Sequence, residues 1–280
     1  MAALEHPWDI PAEYTLWKID IRKSSDVPEP LQPALKERFD AILSSAFSRS
    51  GLAEEWSDPV YRRDDGDGYT AAFAPARTWR LIDPLTRYLD QELHNYRIDK
   101  SATDPELQVR TAVHIGPFPD SRLSDTINDA SRFVDSTTAR TGLEAAVENG
   151  GHTALIVSDE MFQRVIEKGR SQLTADEHFL RIPATEVPGK NFGKPSWLHV
   201  PRVSPETLAD FFERHLPHWR STSPGEPSLL QAPKTPPGGQ QNSETVNIQT
   251  MANRIASLHT LQINQPSTVT VPMQGANPQC

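Results

Sequence analysis

Apolar residues along the first two hundred or so positions switch between the period of a strand and the period of a helix. Tyr14 to Ile21, Tyr-Thr-Leu-Trp-Lys-Ile-Asp-Ile, is aromatic and β-branched and predicts a first strand ending near Asp20 and Ile21. After prolines 28, 30 and 33, the residues Leu35, Phe39, Ile42, Leu43 and Phe47 recur at helical spacing, and Gly51 closes that helix. Val60–Arg63 and Gly68–Ala74 predict the arms of a hairpin. Trp79, Leu81, Ile82, Leu85 and Leu89 predict a second helix to about Tyr96. Leu107–Ile115 alternates as a strand and stops at Gly116-Pro117. Asp125 or Thr126 is placed to cap a helix through Phe133 and Val134, with more helix over Thr141–Val147 up to Gly150-Gly151. Thr153–Val157 is a short, almost continuous apolar run, as in a buried strand. Ser158 caps a helix to Lys168, Phe179–Pro183 and Trp197–Val200 follow as strands, and Ser204-Pro205-Glu206 opens a last helix.

The order β-α-ββ-α-β-α-β-α-β-β predicts an α+β or α/β sandwich, helices covering a mixed sheet. A helix precedes a hairpin, which argues against a doubly wound parallel sheet. The pattern ends at about residue 216. Beyond it, prolines 224, 227, 233, 236 and 237, Gly238-Gly239 and Gln240-Gln241-Asn242 cannot support a packed core. Residues 1–216 are therefore expected to form one domain and 217–280 a disordered tail. Two tail segments, Thr245–Thr250 and Leu258–Gln265, are uncharged, β-prone and rich in Asn and Gln. They read either as plain disorder or as segments able to stack in register or recruit a protein partner.

Charge narrows the function. The chain has 280 residues and a net charge of −9, which excludes non-specific nucleic-acid binding. An anionic substrate would need a local basic patch or a metal. The one cysteine, Cys280, permits no disulfide framework or cysteine-rich zinc site within the chain. The first residues carry Glu5, His6 and Asp9 in place of a basic-then-apolar leader, and no apolar run is long enough for a bilayer. A cytoplasmic protein with no membrane span is expected.

Candidate chemistry centres on the hairpin tip, Tyr61-Arg-Arg63-Asp64-Asp65-Gly66-Asp67-Gly68-Tyr69. Its glycines suit a tight turn. Three carboxylates in four positions repel one another unless they are solvated or neutralised by a cation, so the tip reads as a polar turn or as part of a cation site. Arg62 and Arg63 offer planar donors for phosphate. If the first strand neighbours the hairpin, Asp20 and Asp67 face one point and can share divalent cations. Two metals about 3.5–4 Å apart suit in-line attack at phosphorus. Asn128 and Arg132, four apart on a predicted helix, share a face that reads as a solvated surface or as a ribose and phosphate contact.

In this order and spacing, the motifs resemble the class III nucleotidyl cyclase catalytic domain, the adenylate/guanylate cyclase homology domain. Trp17-Lys-Ile-Asp20-Ile21 is similar to the family's first, metal-holding strand, and Arg63-Asp-Asp-Gly66-Asp67-Gly68 resembles its hairpin. Arg110-Thr-Ala-Val-His114-Ile-Gly116 resembles the strand ending in His-x-Gly. Asp125-Thr-Ile-Asn128-Asp-Ala-Ser-Arg132 resembles the helix whose Asn and Arg act on the ribose and the transition state. Lys190, five residues before Pro195, looks like the late phosphate-binding lysine. The resemblance covers residues 14–201 and is closest in flavour to bacterial stand-alone cyclases, including the anti-phage pyrimidine cyclases.

The resemblance implies a ferredoxin-like βαββαβ core with additional strands and helices. It implies a homodimer whose site takes metal ligands from one subunit and Asn and Arg from the other. Two Mg²⁺ or Mn²⁺ ions on Asp20 and Asp67 would activate a ribose 3′-hydroxyl of a nucleoside triphosphate. Asn128 would orient the ribose, Arg132 would stabilise the transferring group, and Lys190 with the turn Ile21–Ser24 would help pyrophosphate leave. The chain departs from the family where Lys23 and Ser24 replace a glycine and an aromatic residue, and where Ser124 replaces a glycine. Lys23 is placed to contact phosphate or to crowd that turn. At the base-reading positions Arg63 and Ser121 match neither the adenine nor the guanine combination, so the base is unassigned and a pyrimidine is open. His114 reads as a satisfied strand histidine. The competing expectation is a catalytically inactive, nucleotide-binding regulator acting through the tail.

Overall fold

A computed structural model describes residues 11–118 and 124–220. Seven strands form one mixed sheet: β1 (Glu13–Ile21), β2 (Tyr61–Asp64), β3 (Gly68–Phe73), β4 (Val109–Pro117), β5 (Thr153–Ser158), β6 (Leu180–Glu186) and β7 (Gly193–His199). Their order across the sheet is β2-β3-β1-β4-β5-β7-β6. Only β4 and β5 pair in parallel. Eight helices accompany them: α1 (Gln32–Arg49), α2 (Ala53–Ser57), α3 (Leu85–Asp99), α4 (Asp125–Asp135), α5 (Thr137–Glu148), α6 (Asp159–Val165), α7 (Ala175–His178) and α8 (Pro205–His215). The fold is α+β. The path β1-α1-β2-β3-α3-β4, with its four strands antiparallel in the order β2-β3-β1-β4, is the ferredoxin-like βαββαβ core. The remaining strands extend the sheet beyond β4.

Alternation along the central strands decides what each face meets. On β1 and β4 the odd positions Trp17, Ile19, Ile21, Val109 and Val113 pack under α1 and α3, against Phe39, Leu43, Phe47, Leu89 and Leu93. The even positions face the other way. There Ala112 packs with Phe133 and Val134 of α4, and Leu16 with Ile127 and Ala130. Past Leu16, the same even row continues as Lys18 and Asp20, and α4 no longer covers it.

Local chemistry accounts for most of the boundaries. Ser124, Ser158 and Ser204 each accept an N–H from the first turn of the following helix. The cap of α4 is thus Ser124, one residue before the positions expected to cap it. Ser136 ends α4 and starts α5: its hydroxyl donates to Phe133 O and accepts from Ala139 N–H. The helix expected from Trp79 to Tyr96 is broken. Pro84, with no N–H to give, separates a 3-10 stretch, Pro75–Leu81, from α3. The helix expected to reach Lys168 ends at Val165, and Arg170 N–H closes the turn on Val165 O. Strand β6 runs past Pro183 because it is the sheet's edge and bulges between Ile182 and Thr185, where a missing donor is tolerated. Helices α2 and α7, too short to carry a period, were not legible. The tail expected over 217–280 lies outside the described residues from 221 on, as do its two Asn/Gln-rich segments.

Candidate active site

The hairpin tip is held against the end of β1 by backbone contacts. Asp20 sits across from Gly68, and Ile21 N–H donates to Asp67 O at 2.8 Å. A side chain at Gly68 would run into the Ile19 carbonyl, so this approach requires glycine. Gly66 turns the chain at φ +89°, and its N–H reaches Asp64 Oδ1 at 2.8 Å.

The three tip carboxylates then part company. Asp64 faces Lys36 Nζ at 3.0 Å. Asp65 accepts from Lys18 at 2.7 Å, Arg63 at 2.5 Å and Thr70 at 2.6 Å. Burial pushes the Asp65 carboxyl up, but Lys18, Thr70 and Arg63 outweigh it and hold it below its ordinary value. Asp67 alone joins Asp20. Burial pushes Asp20 up, Arg110 pulls it back, and Asp67 adds to the rise, leaving it at about 6. Arg110, directly across on β4, forms an ion pair with Asp20. Two mutually repelling carboxylates, Asp20 buried and Asp67 half-buried, fit a divalent cation of the kind that takes one or two carboxylates and completes its shell with substrate phosphates. No group of three or more His, Cys, Asp or Glu side chains converges on a metal position among the described residues.

A small cavity of about 250 Å³ adjoins this pair, lined by Ile21, Ser24, Ser25, Lys36, Gly66 and Asp67 among others. Lys23, exposed, introduces its turn at φ +56°. It takes up the left-handed conformation that glycine adopts without strain. Lys36, Lys18 and Arg110 were not singled out as site residues. No spacing rule joins them to Asp20 or Asp67; only the fold does.

The second half of the candidate site lies on α4. Asn128 is exposed, and Arg132 is half-buried with its guanidinium 5.6 Å from the centre of the Phe192 ring. Asn128 opens onto a cavity of about 640 Å³ shared with His114, Gly116, Asp129, Glu160 and Lys194. His114 differs from the satisfied strand histidine expected: it is 4% exposed and its Nδ1 has no hydrogen-bond partner among the described residues. Burial lowers its pKa and favours the neutral ring. Lys190 lies on the surface, 3.8 Å from Asp135, whereas Lys194 reaches into the cavity and meets Asp129 at 2.6 Å. Arg63, on β2, is exposed beside Asp65. Ser121 lies outside the described residues. A larger cavity of about 930 Å³, lined by Asp90, His94, His199 and Arg202 among others, contains none of the candidate site residues read from the sequence.

Asp67 and Asn128 line separate cavities with no lining residue in common, and the two halves meet β4 at different levels. Asp20 is paired with Arg110 near its start, and Tyr14 with Gly116 near its end. Helix α4 starts beside Pro117, where Thr126 donates to Pro117 O, and runs back along β4 until Phe133 packs with Ala112.

No protein-family model matches the chain, and no curated protein does. Solved structures similar to it are adenylyl and guanylyl cyclase catalytic domains. The adenylate/guanylate cyclase/hydrolase from Silicibacter pomeroyi is 19% identical, over 69% of this chain and 98% of that one, with a TM-score of 0.44. The catalytic core of a rhodopsin-guanylyl cyclase with converted specificity, in complex with ATPalphaS, is 16% identical over 69% and 97%, TM-score 0.45. The guanylate cyclase domain of RhGC from Catenaria anguillulae, in complex with GTP, is 16% identical over 67% and 96%, TM-score 0.43. No helix among the described residues is long and apolar enough to cross a membrane.

Proposed function

We propose that the chain is a nucleotidyl cyclase, which converts a nucleoside triphosphate to a 3′,5′-cyclic nucleotide and pyrophosphate in a homodimer. The observation that carries this reading is the juxtaposition of Asp20 and Asp67, two carboxylates of which the buried Asp20 is pushed well above the usual range. Asp20 and Asp67 would hold two Mg²⁺ or Mn²⁺ ions. When bound, these neutralise the phosphates and make the ribose 3′-hydroxyl a better nucleophile. The O3′–Pα bond forms as the bond from Pα to the bridging oxygen breaks, and the 3′-hydroxyl proton passes to solvent. Lys23, Lys36 and the turn Ile21–Ser24 adjoin the carboxylates and suit the leaving pyrophosphate, with Lys190 the candidate contact from the other half-site. Asn128 orients the ribose. Arg132 places a fixed positive charge where negative charge develops at the α-phosphate.

The separate cavities lined by Asp67 and by Asn128 support the dimer. Two copies in opposite directions would bring Asn128 and Arg132 of each chain to the carboxylate pair of the other and supply both halves twice. Arg63 and Ser121 would read the base, which is unassigned between purine and pyrimidine. A signalling role, anti-phage defence included, rests on the sequence resemblance alone.

One observation favours a second reading, an inactive nucleotide-binding regulator: Arg110 already neutralises Asp20. The deciding experiment incubates the protein with Mg²⁺ or Mn²⁺ and each of ATP, GTP, CTP and UTP, with products read by mass spectrometry. One cyclic product, absent with Asp67→Ala, is the expected result. Nucleotide binding without any product would favour the regulator.

A further inference from the structure

Asp129 stands next to Asn128 in the helix motif, and helical geometry turns it away from the face shared by Asn128 and Arg132. Its surroundings are nevertheless those of the site. Its side chain is only 8% exposed. Oδ2 accepts from Lys194 Nζ at 2.6 Å, and Oδ1 faces Arg132 Nη1 at 3.4 Å. His114 Nε2 lies 4.0 Å from Oδ2. One buried carboxylate thus holds two cations from two elements, α4 and β7. Phe192 closes over the Arg132 guanidinium from another side.

The charges explain why both partners are present. A carboxylate beside Arg132 fixes the direction of the guanidinium, and a fork held through one nitrogen keeps its other donors free. Alone, that carboxylate would also cancel the positive charge that Arg132 brings to a developing anion. Lys194 restores it: two cations on one carboxylate leave the trio itself with a net charge of +1. We infer that Asp129 is a positioning residue for Arg132 and that Lys194 keeps the pair electropositive. This rests on the cyclase reading and goes beyond it, since neither residue touches substrate in it.

The test is a mutant cycle in the full-length chain, with kcat and KM measured on the triphosphate that the wild type turns over. Asp129→Asn is expected to lower kcat about tenfold with KM within about twofold. In an Arg132→Ala background the same change is expected to be nearly silent, because its effect passes through Arg132. Lys194→Met is expected to lower kcat more than the double change Asp129→Asn/Lys194→Met, which removes the cancelling carboxylate as well. Lys194→Arg is expected to keep most of kcat. Multiplicative losses for Asp129→Asn and Arg132→Ala would overturn the inference, as would a double variant slower than Lys194→Met. If melting curves show that Asp129→Asn does not fold, the contrast of Lys194→Met with Lys194→Arg decides: equal kcat overturns it. If the wild type turns over no triphosphate, the cyclase reading fails by itself. The same cycle, read as the Kd for pyrophosphate by calorimetry, then decides the role of Asp129 by the same criteria.

Discussion

Arg110 on β4 places its guanidinium on the carboxylate of Asp20, its direct cross-strand partner on β1, and both side chains are largely buried. The pair stands where a cation would bind, and Arg110 Nε is itself buried without a partner among the described residues. Guanidinium and divalent cation therefore compete for one carboxylate. Arg110→Met is expected to melt below the wild type in chelator, because Asp20 and Asp67 lose their neutralising charge. Mn²⁺ is expected to raise the melting temperature of that variant more than that of the wild type. Equal Mn²⁺ shifts in the two proteins would show that Arg110 and the cation do not share Asp20.

Gly68 sets the distance between the tip and β1. A methyl group there meets backbone, the Ile19 carbonyl, and not a side chain that can rotate away. Gly68→Ala is expected to cost about 1–3 kcal/mol in stability, the usual range for overpacking, and to displace Asp67 from Asp20. Activity is expected to fall at least about a hundredfold, even at temperatures where the variant is folded, because displacements near 1 Å are costly in catalysis. Denaturant melts and turnover, measured side by side, check both parts.

Legibility from sequence followed period and distance along the chain. Strands β1 and β4 were plain, because every second residue meets the same layer of helices and hydrophobicity repeats accordingly. The ferredoxin-like core and the residues Asp20, Asp67, Asn128 and Arg132 came from ordered motifs. The break at Pro84 was written in the sequence, but the apolar residues on both sides keep helical spacing and mask it. What stayed hidden are contacts between distant segments: Lys194 with Asp129, Arg110 with Asp20, Lys36 with Asp64. A lysine or arginine carries no mark of which carboxylate it will meet. The motif set Asp67 apart from the other carboxylates of the tip, but that Asp64 and Asp65 are taken up by lysines is visible only in the fold.

Two buried groups give opposite pH dependences. Burial pushes His199 down to about 4, offset in part by its bond to the His178 carbonyl. The folded state then binds fewer protons than the unfolded state, so this contribution is complete above about pH 6.5 and is lost as pH falls toward 4. Asp20, raised to about 6, does the reverse: the folded state binds the extra proton, and stability rises as pH falls from about 6 to 4. His199→Gln retains a donor for the His178 carbonyl and cannot titrate. It is expected to lose at least about 1 kcal/mol less stability than the wild type between pH 6.5 and 4, each pKa unit amounting to about 1.4 kcal/mol. Urea melts at the two pH values measure this; identical losses would mean that His199 does not titrate differently in the fold.

Because Asp67 and Asn128 line separate cavities with no residue in common, each chain is expected to be half of two sites. Asp67→Ala spoils only the carboxylate half and Arg132→Ala only the other. Each variant alone is expected to keep only a small residual turnover, since both of its sites carry one spoiled half. Mixed and allowed to exchange, they form a heterodimer in which one site carries both lesions and the other carries none. With random exchange about half of the dimers are mixed, and each of these has one intact site of two, so about a quarter of wild-type activity is expected. If the halves came together within one chain, every site would hold a lesion and mixing would restore nothing. Recovery near a quarter, absent when either variant is mixed with itself, therefore separates a site shared between two chains from one built within a single chain.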